Sequence, residues 1–429
     1  MFEHSTDYLR SYYSASSPAA QHRRPRLEGE LDVDVLVVGA GFTGLYTALN
    51  LAEAGLKVAI LEASRVGWGA SGRNGGQIIL GFSCDMPPFE AALGLQGARQ
   101  VWQLITDAAD EIRQRIARHA IDCDLAEGHL WTSVQARRVH LLTGWQREAA
   151  EKWDYRELDF IPKAELGAHI GSQRYQAALL DRRGGHLHPL NYVLGLARAA
   201  EALGVQIFED SQVLSYTENA DGVQVHTAQG SVRAGRLVLA CNAYIDRLNP
   251  QLRARVLPVG TYIIATEPLD EALAQQLLPS NHAVSDNQFI LDYFRLSADR
   301  RLLFGGKCTY TGREPRHLAQ GMRADMLKVF PQLAAARIDY AWGGHIDISL
   351  PRTPDFGRAG PVYWAQGFSG HGIVPTCVAG RVLAEAIRGD ERHLQLFSAL
   401  PKPAFPGGEK LGALLQAAGM AYYRARDYF

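Results

Sequence analysis

Three glycines, Gly39, Gly41 and Gly44, stand in Gly-x-Gly-x-x-Gly spacing directly after an apolar run at 33–38. That spacing suits one task. The first glycine turns the chain out of a strand, the second lets backbone approach a pyrophosphate, and the third lets the next helix pack close to the strand. The helix then faces the phosphates with its N–H groups and its positive dipole end. Glu62 lies 23 positions beyond Gly39, at the end of the next apolar run. A carboxylate there accepts hydrogen bonds from ribose hydroxyls and works against a 2′-phosphate, so NADP is disfavoured. The unit itself leaves NAD and FAD open.

Two later runs favour FAD. The first, GASGRNGGQ (69–77), is a second glycine turn soon after Glu62, where a simple nicotinamide enzyme needs only its next crossover helix. A flavin ring is large and flat, and Gly72, Gly75 and Gly76 let main chain lie against it. The second, GFSGHGIVPT (367–376), opens a helix near the C-terminal end. Its N-terminus suits the flavin edge that becomes negative on reduction.

These residues need elements to hold them. The pattern predicts a strand at 33–38, a helix over 43–54 ended by Gly55, and a strand at Val58–Leu61, which is one β-α-β unit. Helices are expected at 87–119, 135–153, 316–334 and 409–427, and a Pro-started helix from Pro189 to Gly204. GHLWTSV reads as a strand, and a strand returns near 178–181. Three short strands at 206–209, 223–227 and 231–234 are separated by turn residues, and 236–244 reads as a further buried strand. Residues 255–310 are strand-rich. Residues 1–31 read as a polar arm laid over the body.

The 429 residues suffice for a large core and two domains. Lys+Arg number 44 against 45 Asp+Glu, which suggests no nucleic-acid partner. Five scattered cysteines suggest neither a disulfide framework nor a zinc site, and no His/Cys/Asp cluster has metal-ligand spacing. A reducing, cytoplasmic setting is expected, with no integral membrane segment, since no run reaches ~18 apolar residues.

The glycine motifs, Glu62-Ala-Ser and Gly367-Phe-Ser-Gly-His-Gly372 together resemble the D-amino-acid-oxidase-type flavoproteins. The arm SYYSASS (11–17), IDCD (121–124), ALLDRRGGHLHPLN (178–191), LDYFRLSADRRLLFGG (291–306) and the tail from Phe405 are similar to the gamma-glutamylputrescine and gamma-glutamyl-polyamine oxidases. The resemblance implies a mixed α/β fold: a Rossmann-like FAD domain interleaved with an antiparallel-sheet substrate domain. On this reading 1–31 is the arm, 32–86, 181–255 and 340–390 form the FAD domain, 87–180 and 256–339 the substrate domain, and 391–429 a tail with a surface helix. FAD is expected to touch Gly39, Gly41, Gly44, Glu62, Ser71, Arg73, Asn74, Gly75, Gly76, Gln77, Val213, His371, Gly372 and Thr376. Their neighbours Phe42, Thr43, Ala63, Ser64, Gly69, Ala70 and Gly370 complete the set.

The implied reaction oxidises the primary amine of a gamma-glutamylated diamine to an aldehyde, with ammonia and hydrogen peroxide as co-products and molecular oxygen as acceptor. The amine must be neutral to give up hydride, so desolvating aromatic walls are expected from Tyr262, Tyr293, Phe294, Trp342 and Phe368. His371 is the candidate flavin-edge residue, with His345 in a second glycine-flanked loop. Arg295 and Arg352 are candidate partners of the substrate carboxylate. Lys307 departs from the subgroup, which more often has a small residue there. In the similar sarcosine oxidases, a lysine on a comparable strand promotes reaction with oxygen. His371, Lys307, Tyr293 and Trp342 are thus the candidate catalytic residues. Rival readings are a D-amino-acid, sarcosine or glycine-type oxidase, a quinone-linked dehydrogenase, and a non-catalytic nucleotide-binding regulator.

Overall fold

In the computed structural model, residues 5–288, 291–309 and 315–406 are described. Two sheets organise them. The first is built on near-continuous apolar runs, which suit strands covered on both faces. Gly29–Val38 lies parallel to Val58–Leu61 on one side and to Gly230–Leu239 on the other. Gln206–Phe208 and Val362–Gln366 extend this core in parallel, and Asp355–Ala359 closes it antiparallel. The helices Phe42–Glu53, Pro189–Ala202 and Ile373–Ile387 cover one face through a shared core that includes Leu45, Val193 and Val378. The meander of Ser215–Asn219 and Gly222–His226 leads into Gly230–Leu239, and Val223 and Val225 pack on the other face.

The second sheet has nine strands among the described residues. Val256–Thr266 lies between Ile338–Ser349 and Leu302–Thr309, and the sheet continues through Tyr293–Leu296, Ala283–Asp286, Ala126–Ser133 and Ala177–His186 to Gln77–Ile78. Among the described residues one of its pairings, Ala283–Asp286 with Ala126–Ser133, is parallel and the others antiparallel. One face, carrying Val284, Phe294, Phe304 and Ile264, packs against the helices Glu271–Leu277 and Leu318–Val329. The opposite face is turned toward the first sheet.

Several boundaries differ from the sequence reading. Residues 231–234 and 236–244 do not form separate strands. Gly230–Leu239 is one strand, pairing with the meander along its first half and with Val362–Gln366 at its end. Ser215–Asn219 carries no apolar alternation to mark it as a strand, being almost wholly exposed and polar. The boundary placed at 340 falls inside Ile338–Ser349, a strand of the second sheet. The helix Pro87–Arg118, assigned by sequence to the substrate domain, packs on Ile373–Ile387 in the first core.

The arm is more than a cover. Ser11 caps the short helix Tyr12–Ser16, and Tyr13 is fully buried. Arg24 and Arg65 converge on the buried Glu209, which ties the arm to the first sheet. Within the segment read as a C-terminal tail, a helix at Arg392–Ser398 buries Leu394 and Phe397. The helix read over 409–427 lies outside the described residues.

Candidate active site

A cavity of about 610 Å³ runs between the two sheets. That is a usual size for a small-molecule site. One end is the first β-α-β unit. Gly39 has φ +104, and a Cβ there would meet Ala240 O at 2.5 Å. Gly44 packs its helix directly on Gly39 O, with no room for a side chain. The helix Phe42–Glu53 begins at Gly41, which offers no side-chain cap, and its first residues line the cavity. Ser71 Oγ accepts the Phe42 N–H at 2.9 Å, which brings the second glycine turn onto the first. The helix Ile373–Ile387 also begins at a glycine, Gly372, without a side-chain cap, and its first residues line the same cavity. Two helix N-termini therefore face one space, an arrangement that favours anions and electron-rich edges.

Glu62 sits at the cavity wall and accepts Ala40 N–H at 2.8 Å and Ser64 N–H at 2.9 Å. Burial pushes its carboxyl up to about 7, against the pull of those N–H groups. Gly39, Gly41, Phe42, Thr43, Glu62, Ala63, Gly69, Ala70, Ser71, Asn74, Gly75, Gln77, Val213, Gly370, His371, Gly372 and Thr376 all line the cavity. Gly44, Ser64, Arg73 and Gly76 do not. They stand behind it, and Arg73 places its guanidinium over the Trp68 ring, 4.2 Å from the centroid. Asn74 fastens the turn internally, donating to Ala70 O and Ser71 O and accepting from Gly76 N–H.

At the other end, Tyr293, Phe368 and His371 line the cavity. Burial pushes His371 down to about 4, so the ring is neutral near pH 7, and its Nε2–H donates to Ile79 O at 3.2 Å. Arg352 also lines the cavity. Other candidates are placed elsewhere. Phe294 alternates with Tyr293 on one strand, so it points to the opposite face, where it stacks on Phe304 and meets Phe330 edge-on. Tyr262 packs on that same face and bonds Thr309 Oγ1 at 2.6 Å. His345 stands outside the lining, with its ring edge-on to Tyr244.

Trp342 and Arg295 are scaffold. Trp342 is buried, meets Tyr13 edge-on and donates Nε1–H to Arg73 O at 3.0 Å. Arg295 donates to Gly75 O, Leu187 O, Leu296 O and the Tyr13 hydroxyl, so its guanidinium fixes the glycine turn instead of facing a substrate carboxylate. Lys307 is the extra residue of a β-bulge opposite Thr261/Tyr262, at φ +52. It lines the cavity, but the bulge re-aims its ammonium onto Asp325 at 3.0 Å, on the helix behind the sheet.

Three contributors carried no sequence signal. Asp347 is buried, lines the cavity and accepts Gly367 N–H and Phe368 N–H, which shapes the late glycine turn. Burial pushes its carboxyl up to about 7. Ser285 and Trp131 add to the wall beside Tyr293.

The family model described as FAD dependent oxidoreductase matches residues 34–386. Gamma-glutamylputrescine oxidoreductase of Escherichia coli (strain K12) is 42% identical over 426 residues, covering 98% of this chain and 99% of that one. A probable oxidoreductase of Haemophilus influenzae is also 42% identical, over 99% of this chain and 98% of that one. Among solved structures, glycine oxidase of Bacillus cereus superposes with a TM-score of 0.70 at 20% identity, covering 86% of this chain and 99% of that chain. That last likeness speaks for the fold alone.

Proposed function

Because this chain belongs to the FAD dependent oxidoreductase family, we propose that it binds FAD in the cavity between its sheets and oxidises the primary amine of a gamma-glutamylated diamine, gamma-glutamylputrescine first among them. The products are the aldehyde, ammonia and, with oxygen as acceptor, hydrogen peroxide. The observation that carries this reading is the end-to-end likeness to the Escherichia coli gamma-glutamylputrescine oxidoreductase.

The residues present fit FAD. Gly39, Gly41 and Gly44 leave no space for side chains at their positions, and the helix end behind Ser71, with its remaining N–H groups, suits the pyrophosphate. Each Glu62 oxygen keeps a lone pair for a ribose hydroxyl after accepting one backbone N–H. The second helix end, at Gly372, suits the ring edge that gains negative charge. Bound FAD supplies the hydride acceptor.

The chain's own task is to hold the amine neutral and aligned. A free alkylamine resembles lysine, with a pKa of ~10.4. Tyr293, Phe368 and Trp131 offer it a poorly hydrated wall that disfavours the ammonium form. Burial also raises the Tyr293 phenol, which stays neutral. Neutral His371 adds no positive charge of its own.

The test is anaerobic bleaching of the purified yellow protein by gamma-glutamylputrescine and its longer and shorter analogues, beside D-amino acids, sarcosine and glycine. Bleaching by the gamma-glutamylated amines supports the reading. Bleaching only by amino acids replaces it with an amino-acid oxidase. Rapid bleaching with negligible peroxide in air would make quinone the acceptor.

A further inference from the structure

The wall beside Tyr293 contains a hydrogen-bond chain whose direction the geometry determines. Trp131, Ser285 and Tyr293 are register partners on three adjacent strands. All three line the cavity, together with Gln77. Gln77 Nε2 lies 3.0 Å from Val284 O and 3.4 Å from Phe294 O. Both neighbours are carbonyls, so the amide nitrogen must face them and both its hydrogens are committed. The amide oxygen is left toward Ser285, whose Oγ lies 2.8 Å away.

A serine hydroxyl normally rotates to donate or accept as needed. Here its one hydrogen goes to Gln77 Oε1. His129 Nε2 lies 3.1 Å from the same Oγ, which has no second hydrogen to give, so His129 must be the donor. The ring is fully buried, and its Nδ1 has no hydrogen-bond partner among the described residues, consistent with a neutral imidazole carrying its proton on Nε2. The chain therefore runs from His129 Nε2–H to Ser285 Oγ–H to Gln77 Oε1.

At its cavity end this chain has no donor left. Ser285 Oγ and Gln77 Oε1 each keep one lone pair. These two acceptor oxygens welcome N–H groups and leave a carboxylate or carbonyl oxygen unpaired against them, which is costly in a poorly hydrated site. Trp131 and Tyr293 flank it, and aromatic rings tolerate an amine better than a carboxylate.

We propose that Ser285 and Gln77, held acceptor-only by His129 and two backbone carbonyls, seat the N–H groups of the substrate's primary amine and so decide which end of the ligand enters. Ser285 and Gln77 touch the substrate, and His129 is a positioning residue. The inference rests on the proposed amine-oxidase reading and names its amine subsite.

The test compares two ligands on the FAD-loaded protein. Gamma-glutamylputrescine carries the amine. Gamma-glutamylpentylamide is its isostere with a methyl group in place of the amine. The dissociation constant of the first comes from anaerobic flavin reduction, that of the second from competition. Ser285→Ala should weaken the amine by about tenfold, the value of one lost hydrogen bond in a dry site, and leave the pentylamide unchanged. His129→Gln, which keeps a donor, should lose less than His129→Leu. Equal weakening of both ligands by Ser285→Ala would mean a merely structural role and overturn the inference, as would an unchanged amine constant. A wild-type protein that no gamma-glutamylated diamine reduces would instead sink the substrate reading, and this inference with it.

Discussion

The ring of Tyr293 lies directly on Gly305, its register partner on the neighbouring strand, with no room between them for a Cβ. On its other side, a Cβ on Gly75 would stand 2.6 Å from Tyr293 Cε2. Two glycines from distant parts of the chain thus set the plane of one aromatic ring at the cavity wall. Gly305→Ala should push the ring off its seat. Flavin reduction by the amine is expected to slow by about ten- to a hundredfold, as misplacements near 1 Å do. The visible spectrum of the bound cofactor should survive. Stopped-flow reduction checks this, and an unchanged rate would show that the ring's position does not matter.

Tyr13 connects the arm to the glycine turn, since its hydroxyl accepts from Arg295 and its ring meets Trp342. Tyr13→Ala removes a fully buried aromatic side chain and should cost about 3–5 kcal/mol. Tyr13→Phe removes only the hydroxyl and should cost about 1 kcal/mol. Urea melts of the two variants separate packing from hydrogen bonding. Equal losses would reject the packing argument.

Lys307 gives a prediction of no effect on chemistry. Its ammonium is paired with Asp325 and partly exposed. Lys307→Met should leave both anaerobic flavin reduction and reoxidation by oxygen unchanged, with a stability change below ~1 kcal/mol. A marked fall in the reoxidation rate alone would restore the oxygen-activating role that sequence suggested.

Glu62 makes the cofactor-free protein pH-sensitive. Its carboxyl ordinarily titrates at 4.5 and is raised to about 7 in the fold. The folded state therefore holds this proton more tightly than the unfolded chain does. The contribution is complete below 4.5 and is lost as pH rises through about 7. Asp286 and Asp347 are raised similarly, so wild-type minus variant isolates Glu62. Across pH 5 to 8, Glu62→Gln should lose less stability than wild type. Parallel denaturation curves would refute the assignment.

The first β-α-β unit was legible because local constraints specify it. Turn, pyrophosphate approach and helix packing each demand a glycine at fixed spacing, and Val58–Leu61 ends where Glu62 must stand. The two later glycine turns were legible for the same reason, and they meet at one cavity. Strand phase was not legible. Tyr293 and Phe294 are adjacent and both aromatic, yet alternation sends one to the cavity and the other behind the sheet.

By itself, then, the sequence determined the nucleotide cradle and its acid, because these obey rules that span a few residues. Only the tertiary structure decided which side chains reach the end of the cavity beside Tyr293. Arg295 and Trp342 have the right chemistry for a site, but main-chain oxygens more than a hundred positions away engage them first. Ser285 and Asp347 have no motif, and they reach the cavity because two separate strands of the second sheet carry them there. Hydrogen-bond partners in space, which no local spacing encodes, separate wall from scaffold.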